Sequence, residues 1–162
     1  MLIRDMRNSD WEAVCAIYLE GIATGVATFE TSAPEWGRWD AAHLREPRLV
    51  AELDGRVSAW AALSAVSSRA VYRGVAEVTI YVASAAQGRG IGKQLLKQLI
   101  ARSEEAGFWT LQSAIFAANI ASIALHHTCG FRVVGQRERI GQLHGVWHDT
   151  VLMERRSPTI GR

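Results

Sequence analysis

The segment of the sequence that is best suited to bind a ligand is a turn with three glycines in five residues, Gly88, Gly90 and Gly92. Glycine permits left-handed backbone conformations, so the amide N–H groups of such a turn can converge on one anion. A helix is predicted directly after the turn, and a helix N-terminus also favours negative charge. Arg89 and Lys93 would neutralise further charge. We therefore predict that this turn binds a pyrophosphate.

The spacing of these glycines excludes two common phosphate-binding motifs. The dinucleotide fingerprint G-x-G-x-x-G would need a glycine at Lys93. A P-loop that ended on Lys93 would need a glycine at Gln87 and a hydroxyl group at Gln94. A tight turn from strand to helix with no ligand is the alternative that the glycines alone leave open.

The elements on either side of the turn follow from the apolar periodicity. Val75 to Val82 is predicted as a strand, because its apolar residues alternate with Glu77, Thr79 and Tyr81. One face of this strand is therefore apolar, and the other can line a site. An amphipathic helix follows the turn, from Ile91 towards Gly107.

The other predicted elements alternate between helices and strands along the chain. Two helices are expected near the start, with Pro34 in the first turn of the second one. Asp54-Gly55 is typical of a tight turn between two strands. Asn119 is a good N-cap for a late helix, after a strand from Thr110 and before two closing strands. This order predicts an α/β domain with a mixed sheet.

Length and composition exclude several classes of protein. The 162 residues have the length of one ordinary domain, and 49% hydrophobic with 21% charged residues excludes a disordered protein. A net charge of +2 argues against a protein that coats nucleic acid broadly. The two cysteines favour a reduced compartment over a disulfide scaffold. No stretch is apolar enough for a membrane span or a signal peptide, so we expect a cytoplasmic protein.

Two segments resemble the motifs of a known superfamily. EVTIYVASAAQGRGIGKQLL, from Glu77 to Leu96, resembles the acyl-CoA-binding motif Q/R-x-x-G-x-G/A of the GNAT N-acetyltransferases. NIASIALHHTCGF, from Asn119 to Phe131, resembles their second motif. The chain as a whole resembles the phosphinothricin acetyltransferase-like branch. The residues that favour this branch are Ala76-Glu77-Val78, Gly25 to Glu30 and His144 to Asp149.

The resemblance implies a single GNAT domain over residues 1–162, with a tail that frays from about residue 155. Its fold would be a twisted mixed sheet, splayed between its fourth and fifth strands and flanked by helices. Acetyl-CoA would lie in the splay, with its pantetheine along the strand backbone and the N–H of Val82 polarising the thioester carbonyl. The residues implied to hold it are Ile80, Val82, Gln87, Gly88, Arg89, Gly90, Ile91, Gly92, Lys93 and Asn119. A helix cap alone is the alternative role for Asn119.

The implied reaction is direct attack of a neutral primary amine, so a base must first remove a proton. Glu77 is the leading candidate for that base, and binding of the substrate's ammonium group is its alternative role. His144 is a second candidate, because the branch carries a histidine there and imidazole titrates near neutral pH. His126 stands where the superfamily often has a tyrosine acid, so it could protonate the leaving thiolate. The thiolate could also leave without help from the protein.

The acceptor site is expected in two loops. Phe29, after the first helix, would form an apolar wall. Arg69, Tyr72 and Arg73 lie in a segment whose family counterpart helps to bind substrate, and a guanidinium can grip a carboxylate with two hydrogen bonds. Which arginine turns inward stays open, and a solvent-facing loop charge is the alternative for each.

The resemblance thus implies an acetyl-CoA-dependent N-acetyltransferase for a small amino-acid-like amine of the phosphinothricin or methionine sulfoximine type. A protein or peptide N-acetyltransferase and a non-catalytic acyl-CoA-binding module are the alternatives. Glu77 and His144 argue against the module, which needs no base. A homodimer is expected, with no nucleic-acid or membrane partner. No metal is expected, because the histidines show no HExxH or paired-cysteine spacing. Trp36 and Trp39 are predicted to form a dimer contact or a substrate wall.

Overall fold

The computed structural model describes residues 1–162 as one mixed sheet with helices on both faces. The strands are β1 Leu2–Asp5, β2 Arg48–Leu53, β3 Arg56–Ala65, β4 Val75–Val82, β5 Thr110–Phe116, β6 Arg132–Leu143 and β7 Val146–Arg156. The helices are α1 Trp11–Ala23, α2 Trp36–Ala42, α3 Ile91–Glu105 and α4 Ile120–Thr128. The strand order is β1-β2-β3-β4-β5-β7-β6, and only β4 and β5 run parallel.

The core consists of two hydrophobic clusters on opposite faces of the sheet. Residues of β2 and β3 alternate between the two, as the pleat of a strand requires. One cluster is sealed by α3, whose Leu95, Leu96 and Leu99 are fully buried along a helical stripe. The other holds α1 and α2 against the sheet through Trp39 and Trp60. The helices on the two faces of the sheet thus hold β4 at the centre of the molecule.

The sheet opens between its fourth and fifth strands. β4 and β5 pair at only three positions, which end with Glu77 opposite Gln112. Beyond this point the strands diverge and leave a gap that opens towards the N-terminus of α3. The splayed mixed sheet that the resemblance implied is confirmed.

The end of the chain is more ordered than expected. β7 continues to Arg156, so residues 155 and 156 belong to the sheet. Ser157 is buried, and its hydroxyl accepts the N–H groups of Thr159 and Ile160 at 3.2 and 3.0 Å. The Arg156 guanidinium donates to the Ile160 carbonyl at 2.7 Å. These bonds fold the segment back on β7, in place of the frayed tail expected from residue 155.

Candidate active site

The gap between β4 and β5 is a cavity of about 810 Å³. It combines both diverging strands with the glycine-rich turn, the start of α4 and the loop after α1. Its lining includes Thr28, Phe29, Glu77, Thr79, Ile80, Val82, Gln87, Gly88, Gly90, Ile91, Gly92, Lys93, Ser113, Asn119, His126 and Thr150. Most of the residues predicted from the acyl-CoA motif therefore share one cavity. Arg89 is exposed and lies outside its lining.

The backbone of β4 presents free hydrogen-bonding groups to this cavity. The Ala83 N–H donates to the Ser58 carbonyl of β3 at 2.8 Å. Bonded and non-bonded pairs alternate along antiparallel strands, so Val82 and Ile80, opposite Ala59 and Ala61, face away from β3. Because β5 has already diverged there, their N–H and C=O groups point into the gap, where the Val82 carbonyl accepts only the Gln87 side-chain amide at 3.4 Å. An extended amide-containing ligand can pair with them as a strand would.

The glycine-rich turn adopts the conformation that its sequence predicts. Gly88 and Gly90 have φ of +74° and +75°, and Gly90 is the N-cap of α3. Gly92 faces the strand and α4, where a Cβ would lie 3.4 Å from Val82 and 3.3 Å from Leu125. The amides at the start of α3 are thus open to the cavity, with Lys93 beside them. This arrangement suits a phosphate group.

Asn119 caps α4 and also lines the cavity. Its side-chain oxygen accepts the Ser122 N–H at 3.2 Å, which confirms the helix cap. The residue also lines the cavity, so its contact with the cofactor stays a prediction. The cap orients the first turn of α4 towards the gap.

Glu77 lies where β4 and β5 separate. It belongs to their last residue pair, and its Oε2 accepts the side-chain amide of Gln112 at 3.5 Å. The residue is half-buried and lines the cavity. Its face of β4 also carries Thr79 and Tyr81, so the carboxylate approaches the gap from the side of α1 and α2.

His126 is 1% exposed and lines the cavity from α4. Its Nδ1 lies 2.8 Å from the Ser122 carbonyl, which can only accept, so Nδ1 carries the proton. Nε2 has no hydrogen-bond partner, and burial lowers the pKa of the imidazole below its ordinary value. The ring is therefore neutral at pH 7 with an unprotonated Nε2. To donate a proton from Nε2 the ring would have to be a charged imidazolium, which burial disfavours, and the acid role considered for His126 stays a prediction.

Besides Arg89, four predicted residues lie outside the cavity: Arg69, Tyr72, Arg73 and His144. His144 and Gly145, with φ of +50° and +79°, form the exposed turn between β6 and β7. The Arg69 guanidinium lies 5.5 Å from the Tyr72 ring centroid. Arg73 lies at the same distance from the ring of Trp109 and donates to the Ala70 carbonyl at 3.3 Å. Both arginines are exposed, and the structure does not bring them to Glu77.

An aromatic group lies at one side of the cavity, and only its Phe29 was predicted from the sequence. Phe29 packs on Phe116 with ring centroids 4.4 Å apart, and His148 lies 4.9 Å from Phe116. Gly141 of β6 leaves room for the Phe29 ring, since a Cβ there would lie 2.8 Å from it. Phe29 itself lines the cavity, and its role as a wall for the substrate stays a prediction. Only the alternation of residues along β5 and β7 could have pointed to Phe116 and His148.

Two further features bear on the class of protein. No helix of the structure has the length and apolar character needed to cross a membrane. No group of three or more His, Cys, Asp or Glu side chains is arranged to hold a metal ion.

A splayed mixed sheet, with a glycine-rich turn at the head of the gap, defines the chain as an acyl-CoA-dependent acetyltransferase. The model of the family described as "Acetyltransferase (GNAT) family" matches residues 7–131, and the chain belongs to this family. It is an N-acetyltransferase that uses acetyl-CoA as its donor, as the resemblance implied.

Curated relatives cover almost the whole chain. It is 37% identical to a phosphinothricin N-acetyltransferase of Alcaligenes faecalis, over 94% of this chain and 81% of that protein. It is 32% identical to an L-methionine sulfoximine/L-methionine sulfone acetyltransferase of Pseudomonas paraeruginosa, over 94% of this chain and 92% of that protein. The crystal structure of a phosphinothricin acetyltransferase from Sinorhizobium meliloti in complex with AcCoA has a TM-score of 0.89 and 34% identity. That match covers 99% of this chain and 90% of the other.

Proposed function

We propose that this enzyme acetylates the primary amine of a small amino-acid-like molecule of the phosphinothricin or methionine sulfoximine type. The observation that carries the proposal is the position of Glu77, a half-buried carboxylate at the point where β4 and β5 separate. The substrates named for the relatives support the same class of acceptor.

The chemistry follows from what the protein's own groups can do. Acetyl-CoA, when bound, supplies the acetyl group as a thioester. Glu77 accepts a proton from the acceptor's ammonium group, directly or through a water molecule, and so frees the nitrogen lone pair. The Val82 N–H, which faces the gap, donates a hydrogen bond to the acetyl carbonyl oxygen. The C–N bond to the acetyl carbon would then replace the C–S bond, and the second proton of the nitrogen would pass to the departing thiolate or to water. His126, with its proton on Nδ1, would not supply that proton in this proposal.

The cofactor contacts proposed here are those of the predicted motif. Backbone groups of Ile80 and Val82 pair with the pantetheine, and the amides from residues 88 to 92 bind the pyrophosphate. Lys93 and the side chain of Gln87 lie beside these groups. Arg89, which is exposed, contributes charge from outside the cavity.

The substrate contacts beyond Glu77 are also proposals. Phe29 forms the apolar wall, since it packs at the cavity margin. Arg69 remains the proposed carboxylate ligand, with Arg73 as its competitor and Tyr72 beside it. Either guanidinium would have to leave its aromatic neighbour, Tyr72 or Trp109, and turn towards Glu77. His144 remains a second candidate base. It would need to approach Glu77 from the tip of the β6–β7 hairpin, through a movement of the hairpin or from a second copy of the chain.

We propose a cytoplasmic homodimer as the working form, acting on a small molecule without a nucleic-acid or membrane partner. β6 is a 12-residue strand at the edge of the sheet, and exposed edges favour pairing with another chain. Large apolar side chains are exposed along the β6–β7 hairpin, as expected for an interface. They are Val133, Val134, Ile140, Val146 and Trp147.

An acceptor screen tests the proposed function. The purified enzyme is incubated with acetyl-CoA and one acceptor at a time, and free thiol is measured. The acceptors are methionine sulfoximine, phosphinothricin, the ordinary amino acids and short peptides. We expect thiol release with amino-acid-like acceptors. Release with peptides alone would identify a peptide acetyltransferase instead. CoA binding without release for any acceptor would indicate a binding module.

A further inference from the structure

The end of β4 has a neighbouring strand on one side only. Beyond Glu77, β4 still pairs with β3, but β5 has diverged. The Val82 N–H, proposed above as the donor to the acetyl carbonyl oxygen, lies in this stretch and has no protein acceptor. A donor of this kind is useful only if its position is fixed before the reaction. Contacts other than β5 must therefore hold the end of β4 in place.

A carboxylate of α1 holds the backbone just beyond Val82. The Ser84 N–H donates to Glu20 Oε2 at 2.7 Å, which joins residues 64 positions apart in the chain. A hydrogen bond to a charged acceptor is roughly twice as strong as a neutral one. Both residues line the cavity in the splay. Glu20 therefore connects α1 to the point where β4 leads into the glycine-rich turn.

The next residue of α1, Gly21, packs directly on β4. A Cβ at Gly21 would overlap the ring of Tyr81, so only glycine permits this approach. The Tyr81 ring has little room to turn aside, because its centroid lies 5.2 Å from that of Trp60 and 5.1 Å from that of Tyr18. Tyr81 directly precedes Val82 in β4. α1 thus contacts the strand on both sides of the proposed donor.

The glycine-rich turn is held by other contacts. Ala86, just before it, is buried, and its N–H donates to the Ala83 carbonyl at 2.9 Å. Ile91, at the start of α3, lies in the same core cluster as Ala86. The phosphate end of the cofactor site is therefore fixed without Glu20. A change at Glu20 should affect the acetyl end of the site and leave the phosphate end intact.

We propose that Glu20 and Gly21 are positioning residues, which hold the end of β4 so that the Val82 N–H is directed at the acetyl carbonyl oxygen. Neither residue has to touch the acceptor or the reacting atoms. The inference rests on the role of Val82 in the proposed function. It adds that α1, in place of the missing β5 contact, fixes the donor.

A carboxylate that lines the cavity has an alternative role, in which its charge matters. Glu20 would then accept a proton or bind the acceptor's ammonium group. Glutamine separates the two roles, because its side-chain oxygen still accepts a hydrogen bond while the charge is gone.

A pair of substitutions at Glu20 tests the proposal. Glu20→Ala removes the acceptor of the Ser84 N–H, and we expect kcat to fall about tenfold, as part of the roughly 10²–10³-fold that one oxyanion donor contributes. The Kd of CoA should stay at the wild-type value, and Glu20→Gln should recover most of kcat. Glu12→Ala removes an exposed charge from the same helix outside the cavity and should behave like the wild type. Equal losses in Glu20→Ala and Glu20→Gln, or wild-type kcat in Glu20→Ala, would overturn the proposal.

A second pair of substitutions tests the contact at Gly21. Alanine has the higher helix propensity both here and at Gly37 of α2. A Cβ at Gly37 would have no heavy atom within 4 Å, so Gly37→Ala is the matched control. We expect Gly21→Ala to lower kcat at least as much as Glu20→Ala, and Gly37→Ala to keep the wild-type value. Wild-type kcat in Gly21→Ala would contradict the proposal. The exposed Glu20 provides the test that needs no repacking.

A binding measurement separates this inference from the proposed function. The Val82 amide resonance of isotope-labelled enzyme is compared between the complexes with CoA and with acetyl-CoA. We expect the acetyl group to move the Val82 proton downfield in the wild type and Glu20→Gln, and less in Glu20→Ala. The same shift in Glu20→Ala, with turnover of amino-acid-like acceptors, would refute the positioning role and keep the proposed function. A shift that depends on Glu20, with no turnover of these acceptors, would support the positioning role and refute the proposed function.

Discussion

The pyrophosphate assignment can be tested by a matched pair of glycine substitutions. Gly90, at the start of α3, and Gly55, in the β2–β3 turn, both have φ of +75° and are both exposed. At neither position would a Cβ have a heavy atom within 4 Å. Valine therefore imposes the same kind of backbone strain at both sites. Only Gly90 faces the cavity, so only Gly90→Val should interfere with a ligand.

The expected magnitudes follow from this geometry. A residue with a side chain in the left-handed region costs about 1–2 kcal/mol, which corresponds to about 2–8 °C in Tm for each variant. Loss of one charge-assisted hydrogen bond from an amide to phosphate costs about 1.5–3 kcal/mol, so CoA binding should weaken by about tenfold or more in Gly90→Val. Gly55→Val should bind CoA like the wild type.

Thermal unfolding with and without CoA measures both effects. At a CoA concentration of about 100 times the wild-type Kd, binding stabilises the wild type and Gly55→Val by about 2.7 kcal/mol. A tenfold higher Kd reduces this to about 1.4 kcal/mol in Gly90→Val, so the rise in Tm is roughly halved. Calorimetric titration of each folded protein gives the Kd directly. Equal CoA affinity in the two variants would refute the assignment of the pyrophosphate to this turn.

Three other substitutions test the remaining parts of the site. Glu77→Gln should lower kcat by about 10²–10⁴-fold with CoA affinity retained, and wild-type turnover would exclude Glu77 as the base. Arg69→Lys should raise the acceptor's KM but not that of acetyl-CoA, because lysine lacks the paired donors; equal rates on an amino acid and its methyl ester would contradict carboxylate recognition. Burial lowers the pKa of folded His126, so the unfolded chain takes up more protons as the pH drops below about 6.5. The free energy of unfolding therefore decreases as the pH decreases. His126→Phe should flatten this decline in Tm between pH 7 and 5, and exposed His127→Phe should not; the same slope in both would contradict the explanation.

The sequence predicted the parts of the fold that depend on local chemistry. The glycines of the turn, the alternation along β4 and the cap at Asn119 each require a particular backbone, and the structure has it. The Asp54-Gly55 turn likewise joins β2 and β3 with φ of +51° and +75°. Local preferences of this kind are encoded within a few residues.

Features that depend on contacts between distant segments were not predictable in the same way. Trp39 of α2 packs against Trp60 of β3 with ring centroids 5.5 Å apart, and nothing in the spacing of either tryptophan indicates the other. The protonation state of His126 depends on its depth and on the Ser122 carbonyl. The order of the chain end depends on Ser157, whose role is visible only once Arg156 lies in β7.

The divergence of β5 from β4 has a consequence for amide hydrogen exchange. Along β4, the N–H groups of Thr79 and Tyr81 bond to β3, while those of Ile80 and Val82 have no protein acceptor. In the free enzyme, slow and fast exchange should therefore alternate residue by residue within one central strand, where uniform protection is the rule. Bound acetyl-CoA would slow Ile80 and Val82 to the rate of their neighbours. Two amides in the middle of the sheet thus report, site by site, on the occupancy of the gap.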